Sequence, residues 1–150
     1  MNNITLIDVI AELESSNNQY ALRFESELML ITYNSEILNT IIKYNQCDEI
    51  TAKMIYNTSW GLYQIMGFNL YSMGLKTNVI AYCAEKSIQT IYFIQFLSEN
   101  NINFKIQDML QNNNLMASFI KTYNGNGTEQ EFKDYKSKII QIYNQLSGGN

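Results

Sequence analysis

The chain has 150 residues, 46% of them hydrophobic and 13% aromatic, enough for one domain that buries about two-thirds of the surface its unfolded form exposes. A formal charge of −4, with ten scattered Lys and Arg residues, excludes the clustered basic surface that grips nucleic acid. The absence of His excludes Ser-His and Cys-His nucleophiles, and two cysteines are too few for a disulfide framework or a zinc site.

Cys47 and Cys83 therefore read as buried or unpaired thiols. No carboxylate cluster has the spacing of a calcium loop, so neither a metal nor a cofactor is expected. The start, Met1-Asn2-Asn3-Ile4, lacks the basic and apolar regions of a leader. No apolar run approaches the ~20 residues that span a bilayer, and no integral membrane segment is expected. The reading is a protein made in the cytoplasm without a signal peptide. Pro is absent and Gly counts only 7, so few segments can be tight hairpins. With no linker, charge block or repeat, the chain reads as a single all-α domain, residues 1–150, with a central buried helix and little or no β structure.

In chain order, apolar spacing predicts a first helix over residues 5–15 and an extended or irregular excursion over 20–33. Helices over 35–44 and 48–57 follow, and a short one begins near Trp60 or Gly61. Residues 79–98 are apolar on nearly every face, as in the buried central helix of a globular domain. Shorter helices are predicted over 106–111 and 115–123. The last, over 129–146, carries Phe132, Tyr135, Ile139, Ile142 and Leu146 in one stripe and charge opposite, so it packs on the outside. Gly148-Gly149-Asn150 reads as a frayed tail.

In the first helix, Thr5, Asp8 and Glu12 form a polar stripe, whereas Ile7, Ile10, Ala11 and Glu14 form the stripe expected to face the core. Glu14 thus ends an apolar face at the helix's carboxyl end. Desolvation and the negative end of the helix dipole both favour its protonated form. A carboxyl group kept protonated near neutral pH is what a glycosidase uses to protonate a leaving-group oxygen. The same pattern also fits a glutamate whose carboxylate reaches out to solvent at a helix end, and periodicity alone leaves both readings standing.

Three separated motifs bear on that choice. Glu14-Ser15-Ser16-Asn17, closing a helix, resembles the catalytic Glu-Ser of goose-type lysozymes and soluble lytic transglycosylases. The run Ser59-Trp60-Gly61-Leu62-Tyr63-Gln64-Ile65-Met66-Gly67 resembles the Gly-Leu-Met-Gln signature of that superfamily. Continued through Phe68-Asn69, it is closer still to the corresponding run of phage-type N-acetylmuramidase endolysins. Phe119 to Tyr123 followed by Asn124-Gly125-Asn126-Gly127 resembles the third motif, Tyr-Asn before the last helix. Departures are Tyr63 in place of Met, a longer loop after Tyr123, and a longer stretch between Glu14 and Gly61, in which relatives carry an Arg-aromatic-Glu element like Arg23-Phe24-Glu25.

The resemblance implies a lysozyme-like peptidoglycan glycosidase, bacteriolytic in the manner of an endolysin, that cleaves the β-1,4 bond between N-acetylmuramic acid and N-acetylglucosamine. Glu14 would be the general acid. Gln64 and backbone groups around Tyr63 would bind sugar N-acetyl and hydroxyl groups, and Gly61 would let backbone approach the saccharide. Tyr123 and Asn124 would lie across the cleft. Ser59 would either meet the sugar or cap the short helix. Trp60 and the tyrosines invite a stacking role, with Tyr63 and Tyr123 the two that sit inside motifs. A transglycosylase needs one carboxyl group, whereas an inverting hydrolase needs a second about 6.5–9.5 Å away to activate water. Glu25 is the first choice for it, or else pairs with Arg23; Glu27, Glu36, Asp48 and Glu49 follow and read as solvated charges. The partner is the glycan strand itself, reached at the wall or periplasm through a holin, a phage particle or a secretion apparatus. The alternative is a catalytically inactive wall-binding or assembly module of the same fold, and after it a helical interaction protein unrelated to sugars.

Overall fold

The computed structural model describes residues 4–27, 32–125 and 127–148. Among these residues there are nine helices and three short strands, so the fold is all-α with a small sheet, as expected. They divide into two compact units, Met1–Leu13 with Leu97–Asn150, and Glu14–Phe96.

The unit Glu14–Phe96 begins in the last turn of α1 (Leu6–Ser15). Ser16 and Asn17 then take left-handed φ values of 51° and 58°, which end the helix and turn the chain. It continues into β1 (Leu22–Phe24), which pairs antiparallel with β2 (Thr58–Trp60) in the register Leu22 with Trp60. β2 pairs in turn with β3 (Ile65–Met66), giving the strand order β1-β2-β3.

Between β1 and β2 lie α2 (Ser35–Asn45) and α3 (Glu49–Tyr56), each started by a side-chain cap. Asn34 accepts from Glu36 N and Ile37 N, and Asp48 from Thr51 N. α4 (Gly67–Ser72) follows β3 and packs on α2 and α3. Ile41, Ala52 and Leu70 are wholly buried there, each large aliphatic side chain contributing about 1.5–3 kcal/mol by leaving water. Asn45 ties the helices together, donating to Tyr71 Oη at 2.7 Å and accepting from Val79 N at 3.0 Å. Cys47 and Cys83 are both free thiols, and burial pushes the Cys83 thiol up to about 11.

The run predicted as one central helix is two, α5 (Val79–Ala84) and α6 (Lys86–Glu99). Glu85 between them is extended, with φ −119° and ψ 98°. Two side-chain amides take the last carbonyls of α5: Gln19 donates to Cys83 O and Ala84 O, and Gln89 to Cys83 O. Those contacts stop the helix where hydropathy runs on. α6 buries Gln89, Phe93 and Leu97, one stripe at four-residue spacing, while Ile91 and Ile94 are exposed.

The other unit holds α7 (Ile106–Gln111), α8 (Asn113–Asn124) and α9 (Glu129–Leu146), with α7 packed on α8 and α8 on α9. Its core includes Ile106, Met109, Met116, Phe119 and Ile139. Asn112 caps α8, and Thr128 with Glu131 forms a reciprocal capping box at the start of α9. These helices match their expected spans to within two residues. In α1 the buried face is Leu6, Val9, Ile10 and Ala11, so Ile7 lies beside it rather than at its centre.

The short helix expected near Trp60 begins instead at Gly67, because residues 58–66 form two strands and the turn between them. The excursion over 20–33 is extended as far as Phe24, and its residues 28–31 lie outside the described residues. So do the expectations for Met1, Asn2, Asn3, Asn126, Gly149 and Asn150.

Candidate active site

Glu14 sits in the last turn of α1, half-buried, with no basic residue in that turn. The two left-handed residues behind it each cost about 1 kcal/mol relative to ordinary backbone, a cost tolerated where the turn is needed. Asn18 N closes the turn on Ser15 O at 3.0 Å, and Ala21 O accepts from Gly61 N at 2.8 Å. The segment leaving Glu14 is thereby fastened to the middle motif.

That motif is a buried turn. From Asn57 to Ile65 every residue is buried except Gln64. Trp60 donates its indole N–H to Ile55 O at 3.2 Å, and a Cβ on Gly67 would meet that same carbonyl group, 2.9 Å from its carbon, so Gly67 permits the close approach of α4 to the end of α3. Tyr63 is 2% exposed; its ring stacks on Phe93 at 4.2 Å between centroids and its hydroxyl bonds Thr90 Oγ1 at 2.9 Å. Gln64, at φ 46°, is the member that emerges, and its Nε2 donates to Gly61 O at 3.0 Å.

These positions separate side chains that build the turn from the one it presents. Ser59 is 1% exposed in β2, its hydroxyl turned to Met66 Sδ at 3.1 Å, so it neither caps a helix nor reaches solvent. The Tyr63 ring and Trp60 belong to the core, because aromatic surface enclosed by Phe93 and the α3 backbone has no face left for a saccharide. Gly61 does serve close approach, but to protein: its open side is filled by the Gln89 amide, with Cδ 2.8 Å from where a Cβ would stand.

Three of the other candidate carboxylates, Glu25, Asp48 and Glu49, have structural partners. Glu25 pairs with Arg23 at 2.5 Å, and its backbone N–H donates to Asn57 O at 2.9 Å. Asp48 caps α3, and the Thr51 amide holds its carboxyl below the usual range. Glu49 pairs with Lys53 at 2.6 Å. Glu27 and Glu36 are exposed.

In the second unit, Tyr123 is half-buried and stacks on Phe119 at 5.4 Å. Asn124, exposed, ends α8 and lines a pocket of about 310 Å³ with Ala117, Ile120, Lys121 and Phe132. Gly125 and Gly127 complete its rim.

Sequence reasoning missed Gln89. It is 0% exposed, and its amide makes four contacts: Oε1 accepts from Leu62 N at 2.7 Å, while Nε2 lies 2.9 Å from Cys83 O and 3.3 Å from Gln19 O, and Oε1 fills the space beside Gly61. The available signal was a polar residue in register with Phe93 and Leu97 on the buried stripe of an apolar run.

A helical fold that carries these motifs in order fits a lysozyme-like glycosidase. Residues 43–147 match the family described as Muramidase, N-acetylmuramidase, and the chain belongs to that family. It is also similar to an endolysin of Enterobacteria phage PRD1, 37% identical over 146 residues that cover 93% of this chain and 96% of that one. No solved structure matches the chain significantly. The protein is accordingly a peptidoglycan glycosidase. The family match holds the glutamine turn and the third motif; Glu14 and Glu25 precede it.

Proposed function

We propose that Glu14 is the general acid for cleavage of the β-1,4 bond between N-acetylmuramic acid and N-acetylglucosamine. The observation that carries this reading is the bond from Gly61 N to Ala21 O, which fastens the segment leaving Glu14 to the turn that presents Gln64. In the first step the Glu14 carboxyl gives its proton to the glycosidic oxygen, the bond from that oxygen to the sugar's anomeric carbon breaks, and positive charge develops on the ring. Gln64 binds a sugar N-acetyl or hydroxyl group through its amide. Tyr123 and Asn124, at the end of α8, contribute a further sugar contact.

The second step takes one of two routes. In a transglycosylase the Glu14 carboxylate removes a proton from the muramic acid's own hydroxyl, which closes on the anomeric carbon and leaves an anhydro end. In a hydrolase a water adds instead and leaves a reducing end; Glu25, held by Arg23, is the carboxylate that route draws on. No helix among the described residues is long and apolar enough to cross a membrane. A holin, a phage particle or a secretion apparatus as the route to the wall belongs to the same proposal.

Mass spectrometry of fragments released from purified peptidoglycan tests this reading. The expected result is muropeptide release by the native protein and none by a folded Glu14→Gln variant, with the fragment ends naming the route. Undiminished release by Glu14→Gln removes Glu14 from the mechanism.

A further inference from the structure

Gln89 occupies a position that an apolar side chain would fill more favourably, since α6 buries Phe93 and Leu97 on the same stripe. A buried amide is tolerated when its polar atoms are satisfied, and this one is satisfied by three segments far apart in the chain. Its oxygen takes the Leu62 amide within the glutamine turn, and its nitrogen lies against the carbonyl of Gln19, behind Glu14, and that of Cys83 at the end of α5. Gln19 returns the connection, donating to Cys83 O and Ala84 O at 3.0 Å each. Few side chains combine an acceptor and two donors at this reach. An ionised Glu lacks the donors, Asn is one methylene short, and Leu has neither function. Gly61 completes the arrangement, because any Cβ there would collide with Gln89 Oε1.

We propose that Gln89 is a positioning residue for glycan cleavage, its buried amide fixing the segment behind Glu14 against the turn that carries Gln64. The proposal rests on Glu14 as the acid. Gln89 touches no sugar; it acts by holding two chain segments in one arrangement, and misplacement of reacting groups by an ångström lowers turnover steeply.

The test is steady-state kinetics on a soluble glycan oligomer, with every variant assayed at a temperature where circular dichroism finds it fully folded. Gln89→Leu is expected to lower kcat by about tenfold or more while KM stays within about threefold of the native value. Gln89→Glu is expected to show a kcat, relative to native protein, that rises as the pH falls, because the protonated carboxyl regains a donor while keeping an acceptor. Exchange of the Leu62 amide with solvent should speed up in Gln89→Leu and stay slow in Glu14→Gln.

A folded Gln89→Leu protein with native kcat overturns the proposal, whatever its melting temperature. Should that variant fail to fold, a Gln89→Glu to native ratio flat across pH overturns it instead. An inactive Glu14→Gln beside a fully active Gln89→Leu sinks the positioning role alone. An active Glu14→Gln sinks the acid assignment on which the positioning role depends.

Discussion

Gly61 and Gly125 share almost the same backbone angle, φ +78° and +77°, in opposite surroundings. At Gly61 a Cβ would run into the Gln89 amide and approach the Tyr82 ring at 3.4 Å, whereas at Gly125 it would meet none of the described residues within 4 Å. The first belongs to a turn enclosed on every side, from which Gln64 alone among residues 57–65 emerges. The second rims an open pocket beside Asn124. One motif is thus built as a rigid scaffold behind a single presented side chain, and the other as an accessible surface. Two turns that look equally conspicuous as sequence strings do different physical work.

Glu14→Gln should have the largest effect, lowering turnover on purified peptidoglycan by about 10³-fold with little change in melting temperature. It asks whether the enclosed scaffold exists to serve an acid at all. Gly61→Ala comes next, destabilising by roughly 3 kcal/mol or more through overlap with Gln89 added to left-handed strain. Shortening the obstructing side chain in a Gly61→Ala, Gln89→Ala double variant should recover part of that loss, and a strictly additive result in thermal denaturation would mean the two residues do not touch. Gln64→Ala should lower kcat/KM by about tenfold, consistent with loss of a hydrogen bond to substrate, at a stability cost below about 1 kcal/mol. Gly125→Ala comes last; it meets no packed neighbour and carries only the backbone cost of a φ 77°, ψ −163° conformation suited to glycine, about 1–3 kcal/mol. A large loss of stability there, measured by urea denaturation, would erase the contrast between the two glycines.

How far this was legible in the sequence varied with the physics that fixed each part. α2 and α9 follow from caps and spacing that act locally: Asn34 ahead of an amphipathic run, and Thr128 with Glu131 ahead of the stripe that contains Ile139. Strands of three residues or fewer leave no readable period, so β2 and β3 were invisible, β1 read only as part of an extended or irregular excursion, and Trp60-Gly61-Leu62 read as a helix start. The break at Glu85 was hidden because what stops α5 is the Gln19 and Gln89 amides, contacts between residues about 65 positions apart in the case of Gln19. Within the candidate site, the motif strings singled out Ser59, Tyr63 and Gln64 alike, whereas the fold buries the side chains of Ser59 and Tyr63 in its own core and leaves Gln64 partly exposed. Only burial separates a residue that builds a turn from one the turn displays.

The two cysteine thiols have a consequence for durability. Neither is bonded to the other, and burial holds each toward its protonated form, Cys83 up to about 11 and Cys47 upward with Asp48 adding to the effect. Thiol exchange proceeds through the anion, which both sites suppress. The chain therefore owes none of its stability to a covalent crosslink between these cysteines. A reductant accordingly has no bond between Cys47 and Cys83 to break.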